Sequence, residues 1–145
     1  MKFIFWITVV SLAIYFFALK PSTDPLAGPV RGSTGLQKAI EIHNETKQPM
    51  VVWSTWEGCS ACAKVGKWFS SHEVTGALEG CPMVILESRG TPEECDESAR
   101  MGFKGGNFYI IRDYRSKRST SIRAWEKGSY TIKKNLLSQL ESRVK

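Results

Sequence analysis

The sequence predicts an α/β domain in which a mixed four-stranded sheet carries helices on both faces. Short runs rich in β-branched and aromatic residues alternate with segments whose apolar residues recur at helical spacing. A strand–helix–strand unit comes first, and two consecutive strands and a closing helix follow it. This order of elements is typical of a small mixed sheet with helices packed on its faces. Residues 36–145 form this unit, and their number suits one domain.

The first half of the domain is a helix, a strand and a longer helix. Apolar residues at helical spacing begin at Leu36, and Pro49 stops this helix. Residues 50–53, MVVW, predict a buried strand. The helical pattern resumes at Ser60 and continues to about Leu78.

The second half contains the remaining strands and the closing helix. Residues 83–86 predict a buried strand, and residues 91–101 predict an acidic helix with Pro92 at its first position. Residues 107–111 and 119–125 predict a pair of strands joined by a turn. A last helix, capped by Thr131, places four apolar residues on one side: Leu136, Leu137, Leu140 and Val144.

An apolar segment precedes the domain. Residues 3–19 carry no charge and lie between Lys2 and Lys20, so residues 1–20 are predicted to be a transmembrane or signal-anchor helix. The alternative is a signal peptide that is removed, but no small-residue cleavage site follows the run. Residues 21–35 are rich in Pro, Gly and small polar residues and predict a flexible tether. We expect the domain on the extracytoplasmic (periplasmic) side; the alternative is a cytoplasmic domain, because the flanking charges barely differ.

The formal net charge of +6 is unevenly distributed. Residues 21–99 carry six basic and eleven acidic side chains, whereas residues 100–145 carry twelve basic and three acidic ones. The basic stretch at residues 112–118, RDYRSKR, either faces anionic headgroups or an acidic partner, or is a solvated turn. Aromatic residues are not interleaved with the basic ones, which argues against nucleic acid as a partner.

Two cysteines stand where a buried strand gives way to a helix. Cys59 and Cys62 have the C-x-x-C spacing, and Cys59 opens the predicted helix. Unpaired N–H groups and the helix dipole stabilise a thiolate at that position, so Cys59 is predicted to be the exposed nucleophile. Cys62, one turn later and half-buried, would resolve a mixed disulfide. The alternatives are an inert pair or a zinc site, although no second close pair of ligands follows.

The chain resembles the thioredoxin superfamily over residues 36–145. The segment PMVVWSTWEGCSACAKVGKWF is similar to that family's strand, W-x-x-C-x-x-C-K motif and helix. MGFKGGNFYIIRD is similar to its G-V-x-G-x-P-T segment, and WEKGSYTIKKNLLSQL to its closing helix. The resemblance implies a thioredoxin-like fold and thiol–disulfide oxidoreductase activity at Cys59 and Cys62.

The departures from the family pattern are specific. The family's cis-proline falls at Asn107, and its buried acid falls at Trp53, so another proton acceptor is needed and Glu57 is the nearest candidate. The resemblance places Trp56, the intervening Ser60 and Ala61, and Asn107 at the substrate surface. Loss of the proline would also leave room for a metal ligand or an Fe–S cluster.

Cys81 and Cys95 remain outside the motif. An even cysteine count outside the cytoplasm favours a second disulfide between them. The alternatives are free buried thiols or a second redox pair that exchanges with the first.

The sequence therefore predicts a membrane-tethered oxidoreductase that reduces or isomerises disulfides, without a cofactor or a metal. Its partners would be cysteine-containing protein substrates and a redox partner protein, with membrane contact through residues 3–19 and no nucleic acid. Two alternatives stay open: a metal or Fe–S binding module that uses the same cysteines, and a non-catalytic partner-binding domain.

Overall fold

The computed structural model describes residues 28–145, which contain five strands and five helices. In chain order they are β1 (Val30–Arg31), α1 (Gly32–Thr46), β2 (Met50–Thr55), α2 (Ser60–Phe69), α3 (His72–Ala77), β3 (Met83–Glu87), α4 (Pro92–Met101), β4 (Asn107–Asp113), β5 (Arg118–Arg123) and α5 (Leu136–Val144).

The strands form one mixed sheet in the order β1-β3-β2-β4-β5. The first three strands in this order are parallel, whereas β4 is antiparallel to both β2 and β5. Strand β2 lies at the centre, and its residues Met50 to Trp53 are fully buried because both faces are covered. Because both faces of this strand are buried, its sequence is an unbroken run of apolar residues.

Helices cover both faces of the sheet and enclose two hydrophobic clusters. Helices α2, α3 and α5 cover one face, and their apolar side chains pack on alternate residues of the strands, such as Trp53 and Phe108. Helices α1 and α4 cover the other face, over the intervening residues Val52 and Tyr109. The α/β class and the helices on both faces, which the sequence predicts, are confirmed.

The sheet has five strands, so the prediction of four is wrong. The additional strand, β1, pairs in parallel with β3, with Val30 opposite Val84. Helix α1 begins at Gly32, four residues before the predicted start at Leu36 and within residues 21–35, which were predicted to be a tether. Residues 30–35 therefore belong to the folded unit.

Two further helix boundaries differ from the prediction. The single helix expected from Ser60 to about Leu78 is broken, because α2 ends at Phe69 and α3 starts at His72. The Ser70 hydroxyl donates to the Gly66 carbonyl at 2.9 Å, a side-chain bond that competes with continuation of the helix. The last helix begins at Leu136 rather than next to Thr131.

No helix within residues 28–145 is long and apolar enough to cross a membrane. The predicted anchor at residues 3–19 lies outside the described residues.

Candidate functional site

Cys59 and Cys62 form a disulfide at the start of α2, with their Cα atoms 5.1 Å apart. The central strand β2 ends at Thr55, and a short turn with Gly58 at φ 76° brings the chain to Cys59. Cys59 is half-buried, whereas Cys62 is only 1% exposed. The pair thus presents one accessible sulfur, that of Cys59, and the predicted half-burial of Cys62 is an underestimate.

The sulfur of Cys59 caps the helix that follows it. Cys59 is the N-cap residue of α2, and its Sγ accepts the backbone N–H of Cys62 at 3.1 Å. The first N–H groups of a helix have no partner within the helix, and the helix dipole adds partial positive charge there. This geometry stabilises negative charge on Sγ of Cys59, which is what an attacking thiolate requires.

A cavity of about 550 Å³ lies against the disulfide. It is bounded by α2 and by the carboxyl ends of β2 and β3, with Trp53 opposite Ile85 and Thr55 opposite Glu87 in the strand register. Paired residues of neighbouring strands face the same side of a sheet, so these side chains all point toward α2. The residues that line the cavity are Arg31, Gly32, Trp53, Thr55, Trp56, Glu57, Gly58, Cys59, Cys62, Ala63, Gly66, Ile85, Glu87 and Glu94.

Three carboxyl groups border this cavity, and they differ in environment. Glu57, the acceptor that the sequence analysis proposed, is exposed in the turn before Cys59. Glu87 ends β3 and is half-buried. Glu94 is buried, and its two oxygens accept the N–H groups of Glu87 and Thr91, each at 3.1 Å. Glu87 therefore combines partial burial with a carboxylate that the loop bonds leave available.

Glu87 and Glu94 were not predicted as site residues, although the sequence contains a signal for each. Thr91 and Glu94 have the capping-box spacing, and the structure contains both reciprocal hydrogen bonds of that motif. Glu87 is the last residue of a buried strand beside β2, and ligand sites of α/β sheets lie at the carboxyl ends of the strands.

Trp53 occupies the position that the resemblance assigns to a buried acid. Its indole is fully buried between the rings of Phe108, at 4.7 Å between centroids, and Trp125, at 5.9 Å. Its Nε1 has no hydrogen-bond partner among the described residues, and Trp53 is one of the residues that line the cavity. The site therefore offers a buried donor where the family offers a carboxylate.

Trp56 lies close to a pair of glycines. A Cβ atom at Gly105 would overlap the Trp56 ring, so only glycine allows this approach. Gly106, at φ 85°, donates its N–H to the Ser54 carbonyl at 2.8 Å, which fixes the loop beside β2. Trp56, three residues before Cys59, thus packs against the loop that contains Gly105, and its role at a substrate surface stays a prediction.

The other predicted surface residues have different placements. Ser60 is exposed and Ala61 is half-buried, both in the first turn of α2. Asn107 begins β4 opposite Ser54, a register that places its side chain on the sheet face of α1 and α4 rather than of α2. A role for these three residues in substrate contact stays a prediction.

Cys81 and Cys95 are free thiols, so the predicted second disulfide is wrong. Cys81 precedes β3 and packs against the cluster on the α2 side of the sheet, whereas Cys95 lies in α4 on the other side. A disulfide needs Cα atoms about 4.4–6.8 Å apart, which residues at opposite ends and faces of a strand do not meet. Burial raises the pKa of the Cys81 thiol, which makes it a poor nucleophile.

Comparisons with known proteins identify no family, and the described residues contain no cluster of metal ligands. A search against family models and a search of curated proteins both find no match to this chain. Within residues 28–145, no three side chains of the His, Cys, Asp and Glu types converge as metal ligands.

Proposed function

We propose that this chain is a membrane-tethered thiol–disulfide oxidoreductase with a thioredoxin-like fold. Cys59 and Cys62 would be its redox pair, and its substrates would be cysteine-containing proteins on the extracytoplasmic side of the membrane. The likeness to the thioredoxin superfamily rests on the C-x-x-C motif and on its position between the central strand and a helix. The direction proposed is reduction or isomerisation of partner disulfides.

The observation that carries this proposal is the asymmetry of the cysteine pair. Cys59 is half-buried at a helix N-terminus, with its sulfur hydrogen-bonded to the N–H of Cys62, and Cys62 is almost completely buried behind it. An accessible, stabilised sulfur and a shielded neighbour suit a nucleophile and a resolving thiol. A purely structural disulfide would need neither an exposed sulfur nor a cavity beside it.

The proposed reaction starts from the dithiol form. The Cys59 thiolate attacks one sulfur of a partner disulfide; a mixed disulfide forms, the partner's S–S bond breaks, and the released partner thiolate takes a proton from solvent. The Cys62 thiol then gives its proton to Glu87 through the cavity, and its thiolate attacks Sγ of Cys59. The bond between Cys59 and the partner breaks, and the released partner thiolate takes the proton from Glu87. The partner gains two electrons and two protons, and a dithiol redox protein must reduce the Cys59–Cys62 disulfide before the next cycle.

Single-cysteine variants of the full-length chain test this division of labour. Reduced Cys62→Ser and Cys59→Ser proteins are mixed with oxidised glutathione, and adducts are located by mass spectrometry after an acid quench. We expect a fast, persistent adduct on Cys59 in the Cys62→Ser protein and little adduct on Cys62 in the Cys59→Ser protein. Both variants carry Cys81→Ser and Cys95→Ser, so that no other thiol resolves the adduct. Equal modification of the two cysteines, or none, would contradict the proposal.

A further inference from the structure

A positively charged cleft lies outside the redox site, between the end of α1 and the β4–β5 turn. Four cationic residues line it, and we refer to this group, Lys47, Arg112, Arg115 and Arg118, as the basic cleft. The cleft has a volume of about 320 Å³, and all four residues are exposed. It contains most of the basic stretch that the sequence analysis left open between an anionic partner and a solvated turn.

The charge of the basic cleft is only partly balanced. Asp113 is the acidic residue that lines it, and its Oδ1 accepts the N–H groups of Arg115 at 3.0 Å and Ser116 at 3.3 Å. Hydrogen bonds from Ser116 hold the pKa of Asp113 below its ordinary value, so it is ionised at neutral pH. The four cations and this one carboxylate leave an excess of positive charge at the cleft.

The β4–β5 hairpin, which carries three of these cations, is held in place by side-chain contacts. The Tyr114 hydroxyl donates to Glu97 on α4, and Arg100 lies over the Tyr114 ring at 4.6 Å from its centroid. Arg112 also donates to the Arg143 carbonyl of α5 at 2.5 Å. The hairpin therefore presents its arginines from a fixed position, which suits recognition of a surface.

The basic cleft and the disulfide lie at opposite ends of the sheet. The register of β2 with β4 places Ile111 beside Met50, the first residue of β2, whereas Cys59 follows the other end of that strand. The six residues of β2 correspond to about 20 Å. The described chain enters at the cleft's end, because Val30 pairs with Val84 near the start of β3 and Gly28 precedes it beside Thr75 of α3.

We infer that the basic cleft docks onto the anionic headgroups of the membrane that holds the chain, with Cys59 and Cys62 turned away from the bilayer. This inference rests on the membrane anchor of the proposed function and adds a second, electrostatic contact. Eight residues separate the apolar run from residue 28, and they span at most about 29 Å, which keeps residue 28, at the cleft's end of the sheet, within that distance of the apolar run. A basic residue near an anionic surface strengthens binding about five-fold.

Hydrogen–deuterium exchange of the full-length chain in lipid nanodiscs tests this contact. One set of discs contains phosphatidylcholine alone, and the other contains phosphatidylcholine and phosphatidylglycerol. We expect slower amide exchange in residues 112–118 only in the anionic discs, and loss of this protection at high salt, where exposed charges are screened. Residues 88–91, near the disulfide end of the sheet, should exchange equally in both.

A charge-matched pair of variants separates the cleft from net charge. The Lys47→Gln, Arg115→Gln, Arg118→Gln protein should lose the protection, because three such contacts together are worth up to about 100-fold in binding. A control with Lys64→Gln, Lys67→Gln and Arg89→Gln removes the same charge from exposed positions elsewhere and should keep it. Circular dichroism and the intact disulfide verify that both variants are folded.

Equal exchange of residues 112–118 in neutral and anionic discs overturns the inference and leaves an acidic partner or a solvated turn as the interpretation of these cations. Failure of the chain to enter neutral discs is a separate result, because it removes the anchor of the proposed function. In that event the soluble chain is mixed with anionic vesicles. Protection of residues 112–118 there supports the lipid contact without the anchor, and its absence overturns it.

Discussion

Replacement of Glu94 by alanine is the perturbation for which the structure gives the clearest energetic expectation. This carboxylate is 6% exposed and ties the end of β3 to the start of α4. One oxygen accepts the Glu87 N–H at 3.1 Å, and the other accepts the N–H of Thr91 at 3.1 Å and its hydroxyl at 3.3 Å. The same bonds shape the wall of the cavity beside the disulfide.

The expected cost follows from the bonds that are lost. A hydrogen bond to a charged group contributes about 1.5–3 kcal/mol, and the two backbone donors lose such a bond in the Glu94→Ala protein. The adjacent cavity gives water access to the freed N–H groups, so the lower value applies to each, and the sum is about 3 kcal/mol. For a domain of this size we expect the midpoint of thermal unfolding to fall by about 10 °C.

Glu93→Ala is the matched control, because Glu93 is the preceding residue of the same helix turn and is exposed. It should cost only about 0.5 kcal/mol through the helix dipole. Urea unfolding followed by circular dichroism gives both free energies. If Glu94→Ala and Glu93→Ala destabilise the protein equally, the capping network does not carry the energy assigned to it.

Three further changes test other parts of the structure. Glu87→Gln should slow resolution of a glutathione adduct on Cys59 at least ~10-fold, whereas Glu57→Gln should not, because general bases typically contribute 100-fold or more. Tyr114→Phe should cost about 1 kcal/mol, because Glu97 loses a hydrogen bond. Gly105→Ala should cost about 1–3 kcal/mol, since its Cβ overlaps the Trp56 ring.

The Tyr114 prediction has a defined pH dependence. Partial burial alone would raise the pKa of Glu97, but hydrogen bonds from Arg100 and Tyr114 outweigh it and lower that pKa below its ordinary 4.5. A lowered carboxyl pKa stabilises the fold above pH 4.5, and this contribution is lost as the pH falls through the folded-state value. The Tyr114 pKa itself is raised to about 12, by burial and by Glu97, so its hydroxyl stays a donor at neutral pH.

Unfolding measurements at several pH values give the stability that is lost below pH 4.5, and this loss should be smaller in the Tyr114→Phe protein than in the wild type. An equal loss in the two proteins would show that the Tyr114 hydrogen bond does not lower the pKa of Glu97. Gly76→Ala serves as the control for Gly105→Ala, because Gly76 is in helix α3 and a Cβ atom there meets nothing within 4 Å. It should stabilise the protein by up to about 1 kcal/mol. Destabilisation by both alanines would show that steric overlap with Trp56 is not the cause.

Local signals in the sequence were enough to predict most of the layered fold. The apolar run of β2, the helix opened by Cys59 and the buried Leu136 and Leu140 of α5 all follow from short-range patterns. Strand β1 was missed because two residues within a Pro- and Gly-rich stretch become a strand only through pairing with β3. Such a long-range pairing leaves no local periodicity to detect.

Only those site residues that lie close together in the sequence could be predicted. Cys59 and Cys62 are three residues apart, so spacing alone places them together at a helix start. Glu87 and Glu94 reach the cavity because the parallel register of β2 and β3 carries them there, and one sequence does not specify that register directly. The same limit explains the error at Cys81 and Cys95, which are near in sequence but lie on opposite faces of the sheet.

The most direct test of the account is a redox titration of the full-length chain. The protein is equilibrated in graded glutathione buffers, quenched with acid, and alkylated under denaturing conditions so that mass spectrometry counts free thiols at each cysteine. We predict that Cys59 and Cys62 interconvert reversibly as a two-electron pair, while Cys81 and Cys95 stay reduced and unpaired across the same range. A Cys59–Cys62 pair that remains locked in one state at every poise would contradict the proposed oxidoreductase function.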